Sequence, residues 1–297
     1  MLAHIFGASK TGVGMTVSAA TLGVAISAPV FGALTERLPR KRVIVTSLVG
    51  ISLPTLLAAT STSLTQLVIW RFLQGVAVPG VIAVVVTYIG EEWPPERVAL
   101  IMSFYVSGTA LGGFLGRITA GILADHFNWR ISFLVLGAAA LAGAGAVAAW
   151  LPAPPIRSLP MRSSDTLSAF PNQVQGLFRI RQLVATFAIG FSVLFSMVGV
   201  FTWITFYLSA APFHLSTTAL SSLFFVYLVG LVVTPAAGYI ITRVGLRAGI
   251  SGAILCSIAG VLLTLLPSLT KIVIGLAMLS SGVFIAQTAA QSHLRVA

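Results

Sequence analysis

Two arginines stand where a charged side chain is costly, inside long apolar stretches of the chain. Arg71 lies about five residues from the nearer end of its stretch, roughly 7 Å along a helix, and Arg117 lies about eight residues, roughly 12 Å, from Asp125. Gln74 follows Arg71 by one helical turn and shares its face. Intramembrane arginines usually point into a bundle, so these three residues are candidates for a functional site.

No carboxylate within an apolar stretch neutralises these arginines, because every Asp and Glu lies at the end of a stretch or between stretches. Three partners stay open: an acid on a helix outside this sequence, backbone carbonyls, or an anionic substrate. Arg71 has a further alternative, since its long side chain can extend to the lipid headgroups.

Enzyme and metal chemistry find little support in the sequence. The four histidines lie between stretches or in the tails without metal-ligand spacing, and the one cysteine, Cys256, excludes an internal disulfide and a cysteine cluster. No stretch holds a carboxylate pair or a Gly-x-Ser-x-Gly turn. We therefore expect no enzyme activity, no metal and no cofactor.

The composition is that of a membrane protein. Of the 297 residues, 57% are hydrophobic and 8% are charged, whereas a soluble domain has roughly 25% charged residues. Mean hydropathy is +1.03. The net charge of +11 does not indicate nucleic-acid binding, because the basic residues separate apolar runs rather than gather on a soluble face.

The elements that position the arginines are membrane-spanning helices, each of which needs about 20 apolar residues. We predict nine spans and an all-α polytopic fold. The spans are 13 to 34, 43 to 60, 67 to 90, 98 to 124, 131 to 150, 183 to 208, 217 to 241, 248 to 266 and 271 to 290.

The basic residues between spans predict the orientation. One side of the membrane receives twelve of them and the other side three, namely Lys10, Arg130 and Lys271. The positive-inside rule places the larger set in the cytoplasm, the N-terminus outside and the C-terminus inside. The larger set is Arg37, Arg40, Lys41, Arg42, Arg97, Arg157, Arg162, Arg179, Arg181, Arg243, Arg247 and Arg295.

Domain organisation follows from one long connection and one internal repeat. Residues 151 to 181 hold five prolines and predict a cytoplasmic linker between helical bundles at 1 to 150 and 182 to 297. The segment from Gly238 matches that from Gly32 at an offset of 206 residues. The same offset predicts one helix missing before the chain and two after it, hence nine of twelve.

Three segments resemble signatures of the major facilitator superfamily. Gly32 to Arg42 resembles its Gly-x-Leu-Ala-Asp-Arg-x-Gly-Arg-Lys loop, with Glu36 and Pro39 where the family usually has Asp and Gly. Arg71 to Gly75 resembles Arg-x-x-Gln-Gly of its fourth helix. Gly108 to Arg117 is similar to the fifth helix of bacterial inner-membrane efflux carriers of the acriflavine-resistance type, without the proline of the antiporter signature.

The resemblance, which runs from the second helix of that fold to the tenth, implies a helical bundle with two pseudo-repeated halves. It implies a conformational latch between the halves at the cytoplasmic loops, where the alternative is a solvated basic loop, and it associates Arg71 with proton coupling. The latch residues are Gly32, Glu36, Arg37, Arg40, Lys41, Gly238 and Arg243.

The resemblance also implies which residues line a central cavity. Beside Arg71, Gln74 and Arg117 these are Trp203, Tyr207 and Gln287, with Thr202, Thr205, Ser280 and Ser281 on the same two helices. Tyr207 has an alternative as an interfacial anchor. Gly108, Gly112 and Gly116 recur every four residues and predict a close-packing seam, which permits sliding or serves static packing.

The expected function is secondary active transport by alternating access, in the form of proton-coupled efflux of a small organic compound across the bacterial inner membrane. The alternatives are import of a sugar, amino acid or organic anion, for which the two arginines favour the anion, and an inactive fragment of such a carrier. The expected partners are a small-molecule substrate, protons and the lipid bilayer, with no nucleic acid, and we expect a monomer.

Overall fold

The computed structural model describes residues 5–35, 38–152, 181–229, 233 and 245–294, and the regular structure in these ranges is helical. The first unit of the fold comprises Met1–Arg157 and Ser216–Ser221. Its helices are α1 Lys10–Thr35, α2 Arg40–Ala58, α3 Leu64–Ala77, α4 Pro79–Glu92, α5 Pro95–His126 and α6 Trp129–Trp150.

The second unit comprises Ser158–Leu215 and Ser222–Ala297. Its helices are α7 Arg181–Ser209, a 3₁₀ helix at Leu223–Leu228, α9 Leu246–Thr264 and α10 Leu269–Leu294. The short helix α8, Thr217–Ser222, falls almost wholly in the first unit. Because most of the predicted linker lies outside the described residues, the domain boundaries at 150 and 182 stay predictions.

The predicted spans correspond to helices in the ranges that the structure describes, and residues 230–232 and 234–241 of the seventh span lie outside them. Six of them fall on helices that are long and apolar enough to cross a membrane, namely Lys10–Gly32, Arg40–Ala58, Leu64–Glu92, Trp129–Trp150, Gly190–Ser209 and Leu269–Ala286. Two more fall on shorter apolar helices, Thr217–Leu228 and Ala248–Thr264, and the fourth falls within the 32-residue α5.

Large apolar side chains cover the outside of these helices. Trp150 is 84% exposed, Phe191 is 71% exposed and Phe195 is 68% exposed. Only 17% of the apolar stretch in α6 is buried. In water such a surface would aggregate, whereas in lipid it is the normal outer face of a spanning helix. The chain is therefore a polytopic membrane protein.

Local sequence signals define where several helices begin. Ser63 caps α3 by accepting a hydrogen bond from the Gln66 amide at 3.2 Å, and Asn128 caps α6 by accepting one from the Arg130 amide at 2.9 Å. The third predicted span is divided into α3 and α4 because Pro79 begins α4, where a missing amide proton costs little.

Small residues allow the helices that carry the candidate site to approach closely. At Gly75, where α1 packs on α3, a Cβ atom would collide with the carbonyl oxygen of Ala20. In the second unit Gly260 of α9 faces Gly275 of α10, and a Cβ atom on either would lie 2.5 Å from the other's carbonyl oxygen. Backbone contact of this kind is how helices associate in lipid, where the hydrophobic effect between them is absent.

Candidate functional site

A chain of hydrogen bonds joins three helices of the first unit around Arg71. Its Nη1 donates to Oε1 of Gln74 at 2.6 Å, and its Nε donates to the carbonyl oxygen of Thr16 at 3.4 Å. Nε2 of Gln74 in turn donates to Oγ1 of Thr55 at 2.9 Å. Arg71 is therefore held inside the bundle between α1, α2 and α3, and the interpretation as a headgroup-reaching arginine is not what the structure shows.

Arg117 stands on α5 and reaches the same space from another side. Its Nη1 donates to the carbonyl oxygen of Gly113, one turn earlier, at 3.0 Å. The residue is exposed, in contrast to the half-buried Arg71. Arg117 therefore supplies a second positive group to the site, from a different helix than Arg71.

Both arginines line one cavity of about 440 Å³. That volume is within the usual range of about 300–1,000 Å³ for small-molecule sites. The other described lining residues are apolar or small, and none of them is acidic. The lining residues are Thr16, Leu67, Arg71, Gly112, Gly113, Gly116, Arg117, Ala120, Phe133 and Leu136.

The three glycines of α5 differ from the packing expectation. A Cβ atom added at Gly108, Gly112 or Gly116 would meet no atom of the described structure within 4 Å. Gly112 and Gly116 line the cavity instead. In the described structure these glycines therefore face open space rather than a neighbouring helix.

The predicted latch is described only in part. Glu36, Arg37, Gly238 and Arg243 lie outside the described residues, while Gly32 lies in the last turn of α1 and Lys41 in the first turn of α2.

Arg40 forms a bidentate ion pair with Glu91 at the end of α4, in which its Nε and Nη2 donate to the two carboxylate oxygens. Both residues belong to the first unit, so this pair ties α2 to α4.

Glu91 and two threonines, Thr16 and Thr55, are site residues that the sequence analysis did not select. Glu91 could have been found from charge, because Glu91 and Glu92 flank a span at the end predicted to share a side with the basic residues 40 to 42. The two threonines carry no such signal, because isolated hydroxyls in apolar helices commonly bond to their own backbone.

The cavity candidates of the second unit lie on α7 and α10. Trp203 is 55% exposed on α7, and Tyr207 is 41% exposed with its ring edge-on to Phe213 at 5.6 Å. Ser280 is fully buried, and its hydroxyl has no hydrogen-bond partner among the described residues. Gln287 lies in α10, but its side chain is outside the described structure.

Comparison with known proteins identifies the family to which this arrangement belongs. Residues 1–295 match the Major Facilitator Superfamily. An uncharacterized transporter of Buchnera aphidicola subsp. Schizaphis graminum is 32% identical over 284 residues, which are 94% of this chain and 67% of the relative. The inner membrane transport protein YnfM of Escherichia coli is 35% identical over 245 residues, 82% of this chain and 58% of YnfM.

The fold is also found among solved structures. A bacterial homologue of the human lysosomal transporter Spinster, in an inward-facing and occupied conformation, matches with a TM-score of 0.75. The match covers 97% of this chain and 67% of that chain, at 16% identity. Since the family match extends over nearly the whole sequence, the protein is a transporter rather than an enzyme, and it belongs to the Major Facilitator Superfamily.

Proposed function

We propose that this protein exports a small organic compound from the bacterial cytoplasm in exchange for protons, by alternating access. The observation that carries the proposal is the cavity of about 440 Å³ that α3 and α5 line with Arg71 and Arg117. A charged, ligand-sized space within helices whose outer faces are apolar is what a carrier needs in order to pass a polar molecule through lipid.

Proton exchange is supported by two sequence segments. Arg71 to Gly75 resembles the fourth-helix signature of the superfamily, whose arginine is associated with proton coupling in efflux carriers, and Gly108 to Arg117 resembles the fifth helix of bacterial efflux carriers of the acriflavine-resistance type, without the proline of the antiporter signature. Arg71 is positioned by Thr16 and Gln74, so a movement of its guanidinium group in response to protonation of a nearby group would reach α1 and α3 together. The proposed latch, built on Gly32, Arg40, Lys41 and the matching segment at Gly238, would then favour one conformation of the carrier.

Transport into liposomes tests the proposal. The purified protein is reconstituted, and the flux of ethidium and of benzoate is followed with and without an imposed pH gradient. We expect the gradient to drive one of them and a protonophore to abolish the accumulation. Equal flux with and without the gradient would contradict proton coupling, and no protein-dependent flux of either compound would contradict the proposed export.

Two variants refine that experiment. Arg71→Gln should lose the gradient-driven flux, because the side chain no longer carries the charge, while Arg71→Lys should keep part of it. Lys271→Gln removes one positive charge from an exposed position at the start of α10 and serves as the matched control, with unchanged flux.

Import of an organic anion is the second candidate function, favoured by the pair of arginines that line one cavity, none of whose described lining residues is acidic. The two functions differ in direction. Right-side-out vesicles that accumulate an aromatic carboxylate would support import, and inverted vesicles that accumulate it would support export.

A further inference from the structure

We propose that the 3₁₀ helix Leu223–Leu228 is a conformational hinge, which is extended in the described state and becomes α-helical in another state of the carrier. This rests on the proposed function in one respect, namely that the protein alternates between conformations. The helix type of the segment and the contacts that hold its two ends support the proposal.

The segment is long for a 3₁₀ helix. Such helices rarely exceed three or four residues, because their hydrogen bonds are poorer than those of an α-helix, and this one has six. It directly follows the α-helix α8, and residues 217–229 contain neither proline nor glycine. Since the local sequence permits a continuous α-helix, packing is what favours the 3₁₀ form.

The environment of the side chains repeats every three residues, which is the period of a 3₁₀ helix. Leu223 and Val226 are buried, each at 6% exposure, whereas Ser222 and Phe225 are exposed. Three residues of an α-helix cover about 300° rather than a full turn, so conversion would rotate the members of each pair about 60° apart. The two helix types therefore present different faces to their surroundings.

An aromatic cluster holds the 3₁₀ helix against α7 within the second unit. The ring of the buried Phe201 lies 5.3 Å from that of Phe224 and 4.9 Å from that of Tyr227, and the last two rings are 5.3 Å apart. Phe224 and Tyr227 are three residues apart, so the 3₁₀ geometry aligns them on one side. The α-helical form would turn one ring away from Phe201, and the cluster therefore stabilises the 3₁₀ form.

The preceding helix, α8, is held on α5 within the first unit. A Cβ atom at Gly121 would collide with the side chain of Ser221, so the two helices lie in close contact there. One turn further along α5, Oδ2 of Asp125 accepts a hydrogen bond from the backbone amide of Thr218 at 3.4 Å. Gly121 and Asp125 thus form a seat for α8.

The change from one unit to the other falls between these two anchors. Residues Ser216–Ser221 belong to the first unit, and the second unit resumes at Ser222. Six residues rise about 12 Å in a 3₁₀ helix and about 9 Å in an α-helix. Conversion would therefore shorten the connection by about 3 Å and rotate its end by about 120°, while α8 stays on its seat.

Pairs of spin labels test the helix type in lipid nanodiscs, in a Cys256→Ser background. One pair is attached at Ser222→Cys and Phe225→Cys, three residues apart, and the other at Phe225→Cys and Val229→Cys, four residues apart. The four-residue pair lies about 120° apart around a 3₁₀ helix but about 40° apart around an α-helix. We expect stronger dipolar coupling in the three-residue pair, and a gain in the four-residue pair on conversion.

One substitution at each anchor should cause the conversion. Phe201→Leu keeps an apolar side chain but removes the ring, and Phe191→Leu, at an exposed position of the same helix, is its matched control. Gly121→Ala displaces α8 from its seat, and Gly108→Ala, where a Cβ atom meets nothing within 4 Å, is the control on α5. Coupling of the four-residue pair should rise in the two anchor variants only. Unchanged coupling in both anchor variants would overturn the proposal.

The same labels in liposomes separate this inference from the proposed function. We expect an imposed pH gradient to raise the coupling of the four-residue pair while it drives flux. Gradient-driven flux of ethidium or benzoate with unchanged coupling would leave export standing and overturn the hinge. A change in coupling with no protein-dependent flux would support the hinge and contradict export.

Discussion

Arg71 shows how a bilayer protein keeps a charged side chain within a helical bundle. Its hydrogen bonds go to a backbone carbonyl on α1 and to Gln74, which passes the connection to Thr55 on α2. Two of the five guanidinium donors are thus used by neutral groups, which hold the side chain in place without neutralising its charge. A side chain held in this way meets the requirement of the role proposed for Arg71, which is to act from a fixed position.

The contribution of this network is testable at Thr55. Thr55→Val keeps the shape of the side chain but removes the acceptor of Gln74, and we expect the free energy of unfolding to fall by about 0.5–1.5 kcal/mol. Thr46→Val, at an exposed position of the same helix, is the matched control. Thermal unfolding of the detergent-solubilised variants gives the comparison, and equal stability of the two would refute the network's role.

Asp125, at the C-terminal end of α5, makes a polar contact outside the Arg71 network. Its Oδ2 accepts a hydrogen bond from the backbone amide of Thr218 at 3.4 Å, within the first unit. Hydrogen bonds from the Thr218 side chain, its backbone and Ser216 lower the pKa of the Asp125 carboxyl below its ordinary value of 3.8, and desolvation opposes them.

A lowered pKa predicts a direction for the pH dependence. The contact stabilises the folded state above the ordinary pKa, and this contribution is lost as the pH falls through the lowered value. We therefore expect the melting temperature of the wild type to fall more steeply below about pH 4 than that of Asp125→Asn, which does not titrate. If the melting temperatures of the two proteins fall equally steeply with pH across this range, the assignment is contradicted.

At the scale of the helices, glycine has two opposite uses. Gly75 and Gly260 bring backbones together, because each faces a carbonyl oxygen of the neighbouring helix. Gly112 and Gly116 face open space and contribute to the cavity. Spacing along one helix does not distinguish these uses, since both place small residues on a common face.

A pair of substitutions within α9 tests the packing role. Gly260→Ala places a methyl group against the carbonyl oxygen of Gly275, and overpacking of this kind costs typically about 1–3 kcal/mol. Gly252→Ala, on an exposed face of the same helix with no atom within 4 Å, should leave stability unchanged or slightly raise it. Thermal unfolding that ranks Gly252→Ala below Gly260→Ala would contradict the close contact.

At the scale of the whole molecule, the distribution of basic residues predicts the orientation in the membrane. The N-terminus is expected outside, since twelve basic residues lie on the opposite side from Lys10. In a Cys256→Ser background, Lys10→Cys should react with a membrane-impermeant maleimide on intact cells. Arg97→Cys should react only after the membrane is opened, and the reverse pattern would show the opposite orientation.

The sequence by itself determined the class of the protein. Low charge and nine apolar stretches require helices in lipid, because lipid offers no partner for unpaired backbone groups, and Arg71 and Arg117 stand out since charge in such stretches is costly. These features are local, so composition and spacing reveal them. The resemblance of Gly32 to Arg42 and of Arg71 to Gly75 then pointed to the family that the whole-chain match establishes.

Only the tertiary structure decided which residues share the site. It joined Arg71 to Thr16 and Thr55 across three helices, paired Arg40 with Glu91 over 51 positions, and turned two predicted packing glycines towards a cavity. The physical reason is that helical periodicity defines the face on which a residue lies but not what that face meets. The partner depends on how the helices cross, and that depends on contacts between residues far apart in the chain.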